Sequence, residues 1–167
     1  MNKLRLPFVL AVALVIQTVL IGPVTVAGAH PDLMLLLPIA AGFSVGSEQG
    51  AVVGFLAGLL TDLFLQTPLG LSALTFSVVG FGVGMVQTTM IRAAWWLTPA
   101  TAFVASVVGV LLFGVVAATV GQGQLLRPAL VTAALVVGAA NALFSIPTVR
   151  VMRWALASDA LDRAYAR

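Results

Sequence analysis

Six long apolar runs, joined by pieces too short to fold alone, constrain this chain more than any other feature. They are Leu6–Val26, Leu33–Gly46, Gly50–Leu65, Gly70–Ile91, Trp95–Gly121 and Pro128–Val149. A helix needs about 20 apolar residues to cross a hydrocarbon core about 30 Å thick, and four of the runs are that long. The second and third reach only about 21 and 24 Å at about 1.5 Å per residue. Polar residues Gly46-Ser47-Glu48-Gln49-Gly50 separate those two runs. Two short helices turning there are therefore expected, either crossing a thinned membrane or forming a re-entrant hairpin against the other spans. Composition agrees: 61% of residues are hydrophobic and 8% charged, against about 25% charged in a soluble domain. The expected fold is all-α, a six-helix integral membrane bundle forming one polytopic domain over residues 1–167. Residues 150–167 form its juxtamembrane tail.

Positive charge sets the expected orientation. With the N-terminus inside and six crossings, Lys3, Arg5, Arg92, Arg150, Arg153, Arg163 and Arg167 are cytoplasmic, and Arg127 alone is outside. A re-entrant hairpin keeps the same parity, whereas fusing runs two and three into one helix would move Arg92 and the arginine-bearing tail outside. Both termini are expected in the cytoplasm. Lys3 and Arg5, the first apolar run and Ala27-Gly28-Ala29 also imitate a cleavable signal peptide. The run is long for that role, and Gly22-Pro23 interrupts the approach to the site. The tail reads as a continuation of the last helix, with Val151, Trp154, Leu161 and Tyr165 on one face. That face suits an interfacial anchor or a docking surface for a cytoplasmic partner.

Several functions are excluded early. The eight basic residues are scattered singly or in pairs between apolar runs and form no stripe that could follow phosphates, so nucleic acid is not an expected partner. The chain has no cysteine and one histidine, His30, which removes thiolate chemistry and paired-imidazole metal sites. Gly80-Phe81-Gly82-Val83-Gly84 resembles a dinucleotide loop superficially, but it lies within an apolar run with no strand before it and has Gln87 where a final glycine belongs. No nucleophile elbow, phosphate loop or catalytic triad is present. An enzyme is not expected, nor is a cofactor, and no catalytic or metal-binding residue is assigned.

The densest information lies in the third run. Gly50, Gly54 and Gly58 recur every four residues, and Asp62 follows at the same interval. Four residues advance about 400° around a helix, so all four lie on one slowly drifting face. Glycine there lets a neighbouring backbone approach closely. A carboxylate in hydrocarbon costs at least about 2.5 kcal/mol, so Asp62 is expected to face protein or water. The amides of Gln66-Thr67-Pro68-Leu69-Gly70 and of the helix that follows suit it. Asp62 can brace this turn, contribute to a partner interface, or bind a cation, proton or solute. At the opening of the second run, Pro31 suits a first helical turn and Asp32 a cap for free amides. Further small residues recur at Gly80 and Gly84, at Gly114 and Ala118, and at Ala134, Gly138 and Ala142. Asn141 and Ser145 are expected to hydrogen-bond across the bundle.

Two segments resemble the MreD family of bacterial rod-shape proteins. His30-Pro31-Asp32-Leu33-Met34-Leu35-Leu36-Leu37 resembles that family's proline–aspartate–leucine run. Gly50 through Leu63, continuing through Pro68-Leu69-Gly70-Leu71-Ser72-Ala73-Leu74, resembles its glycine stripe, aspartate and proline–leucine–glycine signature. The resemblance implies a multi-pass inner-membrane component of the elongasome, acting with MreC, MreB, RodA and a class B penicillin-binding protein in lateral peptidoglycan synthesis. It also implies a fold like the substrate-binding subunits of energy-coupling-factor transporters. Carried over by position, Pro31, Asp32, Gly50, Gly54, Gly58, Asp62, Pro68 and Gly70 become structural or interface residues. The glycine faces would grip the MreC membrane helix, so Gly58→Leu is expected to reduce MreC recovery while the protein still inserts. A vitamin-type transporter subunit is the alternative. Asp32, Asp62, Gln122, Gln124 and Arg127 would then be solute contacts, although Ala11 and Ala13 do not form an i,i+4 docking pair.

Overall fold

The computed structural model describes residues 4–22, 25, 30–65, 69–89, 96–121 and 128–165. Among them the regular secondary structure is all helix: α1 (Arg5–Val15), α2 (Leu33–Val45), α3 (Ser47–Leu65), α4 (Leu71–Thr89), α5 (Leu97–Thr119) and α6 (Pro128–Tyr165). α1 continues into a wider π-helical stretch over Ile16–Ile21. Lys3, Arg92, Arg127 and Arg167 from the charge pattern lie outside the described residues, as do the candidate cleavage site and Gln122 and Gln124.

α2 is the axis of the bundle and touches each of the other five helices. Every residue from Met34 to Gly42 on it is buried, which explains why its apolar run has no polar side. The polar stretch between runs two and three is not a loop. Only Gly46 breaks the helix, at φ 115°, a conformation a side chain would resist. α3 then starts at Ser47 and draws Glu48 and Gln49 into its first turn. It is therefore 19 residues long, longer than its apolar run, because hydrophobicity marks what is buried in lipid or protein and not where backbone hydrogen bonding begins.

Polarity is inverted relative to a water-soluble protein. Asp62, Ser72, Thr75, Ser106, Asn141 and Ser145 are buried, while Phe8, Phe55, Leu63, Phe64, Val104 and Leu143 stand out from the surface. α5 and the part of α6 from Ala129 to Leu156 are long and apolar enough to cross a membrane, with mean hydropathies of 2.4 and 2.0. α6 itself runs unbroken for 38 residues. Beyond Arg150 it remains part of the core: Met152, Ala155 and Leu156 are buried, whereas Val151 and Trp154 are exposed. The exposed side is thus the Val151–Trp154 face, and Met152, Ala155 and Leu156 turn to the bundle; the side chains of Leu161 and Tyr165 lie outside the described residues. The Arg5 guanidinium lies 4.8 Å from the centre of the Trp154 ring, and its Nη1 donates to the Trp154 carbonyl at 3.5 Å.

Candidate functional site: a glycine seam closed by a buried carboxylate

The stripe Gly50–Gly54–Gly58 faces α4, and α3 packs more extensively on α4 than any other two helices pack together. The helices run antiparallel in a regular register. A Cβ added to Gly50 would lie under 3.0 Å from the carbonyl of Gly80, one on Gly54 from that of Phe76, and one on Gly58 from the backbone of Ser72 and Ala73. Gly42 and Gly84 extend the seam, meeting Gly80 and the Gly46–Ser47 backbone respectively at similarly short range. Backbone thus lies on backbone along the whole interface, which only small residues allow. The Ser77 hydroxyl donates to the Ala51 carbonyl across it, at 3.1 Å.

Asp62 continues the same stripe to the end of α3, where α4 begins. Its side chain is 2% exposed. Oδ2 accepts from the Gly70 amide at 2.8 Å and the Ala73 amide at 3.4 Å, and the Ser72 amide is shared between Oδ1 and Oδ2 at 3.1 and 3.2 Å. These are the free N–H groups of a helix start, and a carboxylate both satisfies them and complements the positive end of the helix dipole. Gly70, at φ 96°, turns its amide back toward α3 in a conformation that glycine adopts without strain. Pro68 lies outside the described residues.

Pro31 and Asp32 belong to a second cluster, at the start of α2. Asp32 caps α2, its Oδ1 accepting from the Leu35 amide at 3.0 Å. Gln17, which no sequence pattern singled out, holds the same segment from α1. Its Nε2 donates to the Pro31 carbonyl at 3.0 Å, and its Oε1 accepts from the Leu33 amide at 2.9 Å. Gln17 sits in the π-helical stretch of α1. A polar residue in the middle of an apolar run was the available signal.

Burial pushes the Asp32 carboxyl above the ordinary carboxylate range, against the opposing pull of the Leu35 and Met34 amides. A raised folded-state value means that the fold binds the proton more tightly than the unfolded chain. Its contribution to stability therefore grows as pH falls from the raised value toward the ordinary one, and is lost as pH rises. Asparagine caps about as well as aspartate and does not titrate. Asp32→Asn is expected to melt within about 0.5 kcal/mol of the parent at acid pH and to lose the parent's gain on acidification. Melting curves of both proteins across the acid range check this.

In α6, Asn141 donates through Nδ2 to the Ser106 hydroxyl of α5 at 2.9 Å. Ser145 does not cross the bundle as expected; it bonds back to the Ala142 carbonyl at 2.7 Å. The α5–α6 contact uses glycine differently from the seam, as holes for side chains: Gly114 faces Leu130, and Gly138 faces Val107 and Phe103. Among the described residues no three His, Asp or Glu side chains come together in a way that could hold a metal ion.

The family model for the rod shape-determining protein MreD matches residues 2–152 of the 167. The matched region takes in the whole seam, both capped helix starts and α6 as far as Met152. No curated protein and no solved structure matches the chain. With a match over nine-tenths of its length, the chain belongs to the MreD family of rod shape-determining membrane proteins.

Proposed function

We propose that the protein is a non-catalytic scaffold of the elongasome. It supports cell shape and lateral peptidoglycan synthesis through helix–helix contacts with MreC, with the wall synthase RodA and its class B penicillin-binding partner, and through them with MreB. It crosses the inner membrane six times with both termini in the cytoplasm, an arrangement resembling the S components of energy-coupling-factor transporters. The family match is the observation that carries this reading. Two features support it. The exposed surface of the described helices is rich in large apolar side chains, which suits lipid and partner helices rather than water. The Arg5–Trp154 contact places the start of α1 beside the Arg150–Arg153 turn of α6, at one end of the bundle, in keeping with the charge asymmetry of the sequence.

The glycine stripe is spent inside the bundle, so partner helices are assigned to the outer faces. Affinity capture of the protein from native membranes is expected to enrich MreC, and depletion in the native host to round the cells and disperse new wall synthesis. Capture without MreC, together with unchanged cell outline, would refute the scaffold. A small solute retained through purification would instead favour a transporter subunit.

A further inference from the structure

Positive charge gathers on one turn of α6, where the start of α1 meets it. The Arg5 guanidinium lies over the Trp154 ring at 4.8 Å. Trp154 is one helical turn beyond Arg150 and directly follows Arg153. Arg150 and Arg153 are both exposed, and neither pairs with a carboxylate among the described residues. Like charges three residues apart repel on a helix surface, so these two are held together with no described counter-charge. The buried acids are committed elsewhere. Asp32 caps α2 beside Gln17, about 18 Å along α1 from Arg5 at about 1.5 Å per residue, and Asp62 braces the start of α4.

Depth decides what complements the charge. Arg150 is the first charged residue of α6 and follows directly on the apolar run Pro128–Val149, while Arg5 opens α1. Both stand where a span leaves the hydrocarbon, which is the level of the phospholipid headgroups. The same turn exposes Val151 and Trp154, and toward the hydrocarbon the exposed face of α6 continues through Ile146 and Leu143. The ligand that complements this face is anionic at headgroup level and apolar below it. A phospholipid has that form; free phosphate and an acidic segment of a soluble protein do not. A zwitterionic headgroup carries its own ammonium and leaves the charge of the turn uncompensated, whereas a lipid of net negative charge compensates it.

We infer that the exposed Arg150–Trp154 turn, at its junction with the start of α1, is a binding site for the phosphate headgroup of an anionic membrane lipid. The inference rests on the membrane-embedded reading given above and needs no protein partner.

The test uses the full chain carrying Trp95→Phe and Trp96→Phe, which leaves Trp154 as its one tryptophan. The protein is reconstituted in phosphatidylethanolamine–phosphatidylglycerol vesicles in which one lipid or the other has brominated chains, so quenching of Trp154 reads which lipid lies beside it. Phosphatidylglycerol is expected to be preferred roughly tenfold. Arg150→Gln with Arg153→Gln is expected to bring the two lipids close to parity. Arg150→Lys with Arg153→Lys is expected to keep the preference, because both residues supply a full positive charge. In the parent, salt at about 1 M shortens the screening length to about 3 Å and is expected to abolish the preference without any substitution. With the probe moved to the other end of α3 by Trp154→Phe and Leu63→Trp, at an exposed position, no such preference is expected. Equal quenching by both lipids in the parent, or a preference that persists in the glutamine pair or appears equally at Leu63, overturns the site. Inorganic phosphate that displaces phosphatidylglycerol where chloride of equal ionic strength does not makes this a free-phosphate site and overturns the lipid. In native membranes a photoreactive side chain at Val151 is expected to capture phospholipid, and capture of a polypeptide there overturns the inference. A chain that fails to float with the vesicles overturns the membrane reading itself.

Discussion

Gly58→Leu is expected to abolish assembly of the bundle, not to remove one partner from it. Insertion and assembly are separable in lipid: a span enters because it is apolar, then packs because its surface fits. Leucine makes α3 more apolar, so insertion survives. Packing does not, because the atoms that a Cβ on Gly58 would strike are backbone atoms of Ser72 and Ala73, which no rotamer change can move aside. The α3–α4 seam would have to open along its length. The loss is expected to exceed about 4 kcal/mol, the range reserved for gross packing failures, and even Gly58→Ala is expected to cost about 1–3 kcal/mol. Gly82→Ala is the control in the same pair of helices. It meets open space and is expected to be neutral or to stabilise by up to about 1 kcal/mol. Thermal unfolding and size-exclusion profiles in mild detergent read all three. A monodisperse Gly58→Leu protein melting like the parent would show that the seam is not what holds these helices.

This outcome revises what the stripe alone suggested. Spacing correctly places Gly50, Gly54, Gly58 and Asp62 on one face, because helical geometry requires it. Spacing carries no information about what that face meets. Gly80 and Gly84 were visible as small residues in the next run, but only the antiparallel register of α3 on α4 makes the two stripes one interface and leaves no room there for a partner. Gly82, between them in sequence, looks the same on paper and has the opposite environment, since it points away from α3. The environment of Asp62 was legible for a different reason. The turn is short, so the amides that follow it had to lie within reach. Gln17 was not legible, because its partners at positions 31 and 33 are brought to it by the return of the chain from α1 to α2. The helix boundary at Ser47 does not follow the apolar run because a one-residue hinge at the half-buried Gly46 does not need a polar loop around it.

Asp62→Ala is expected to be nearly as damaging as closing the seam, and the pattern among Asp62 variants identifies what the carboxylate does. Removing it leaves the amides of Gly70, Ser72 and Ala73 facing a buried gap. Each unsatisfied buried donor costs about 1–3 kcal/mol, so a total of about 3–5 kcal/mol is expected even after water or small backbone shifts recover part of the loss. Asp62→Asn keeps one acceptor oxygen but turns an NH2 group toward other donors and gives up the charge that complements the start of α4. It is expected to fall between Ala and the parent. Asp62→Glu keeps the charge, but its extra methylene has to fit a site 2% exposed, and a cost of about 1–3 kcal/mol is expected. The discriminating condition is the absence of any ligand. A carboxylate kept for binding a cation or solute is held at some expense to the empty protein, and neutralising it leaves stability unchanged or raised. A bracing carboxylate gives the reverse order in a chelator-treated, solute-free sample: parent above Asn, Asn above Ala. Melting temperatures of the four proteins under those conditions decide between the two, and Asn or Ala variants that melt at or above the parent would return Asp62 to the list of ligand sites.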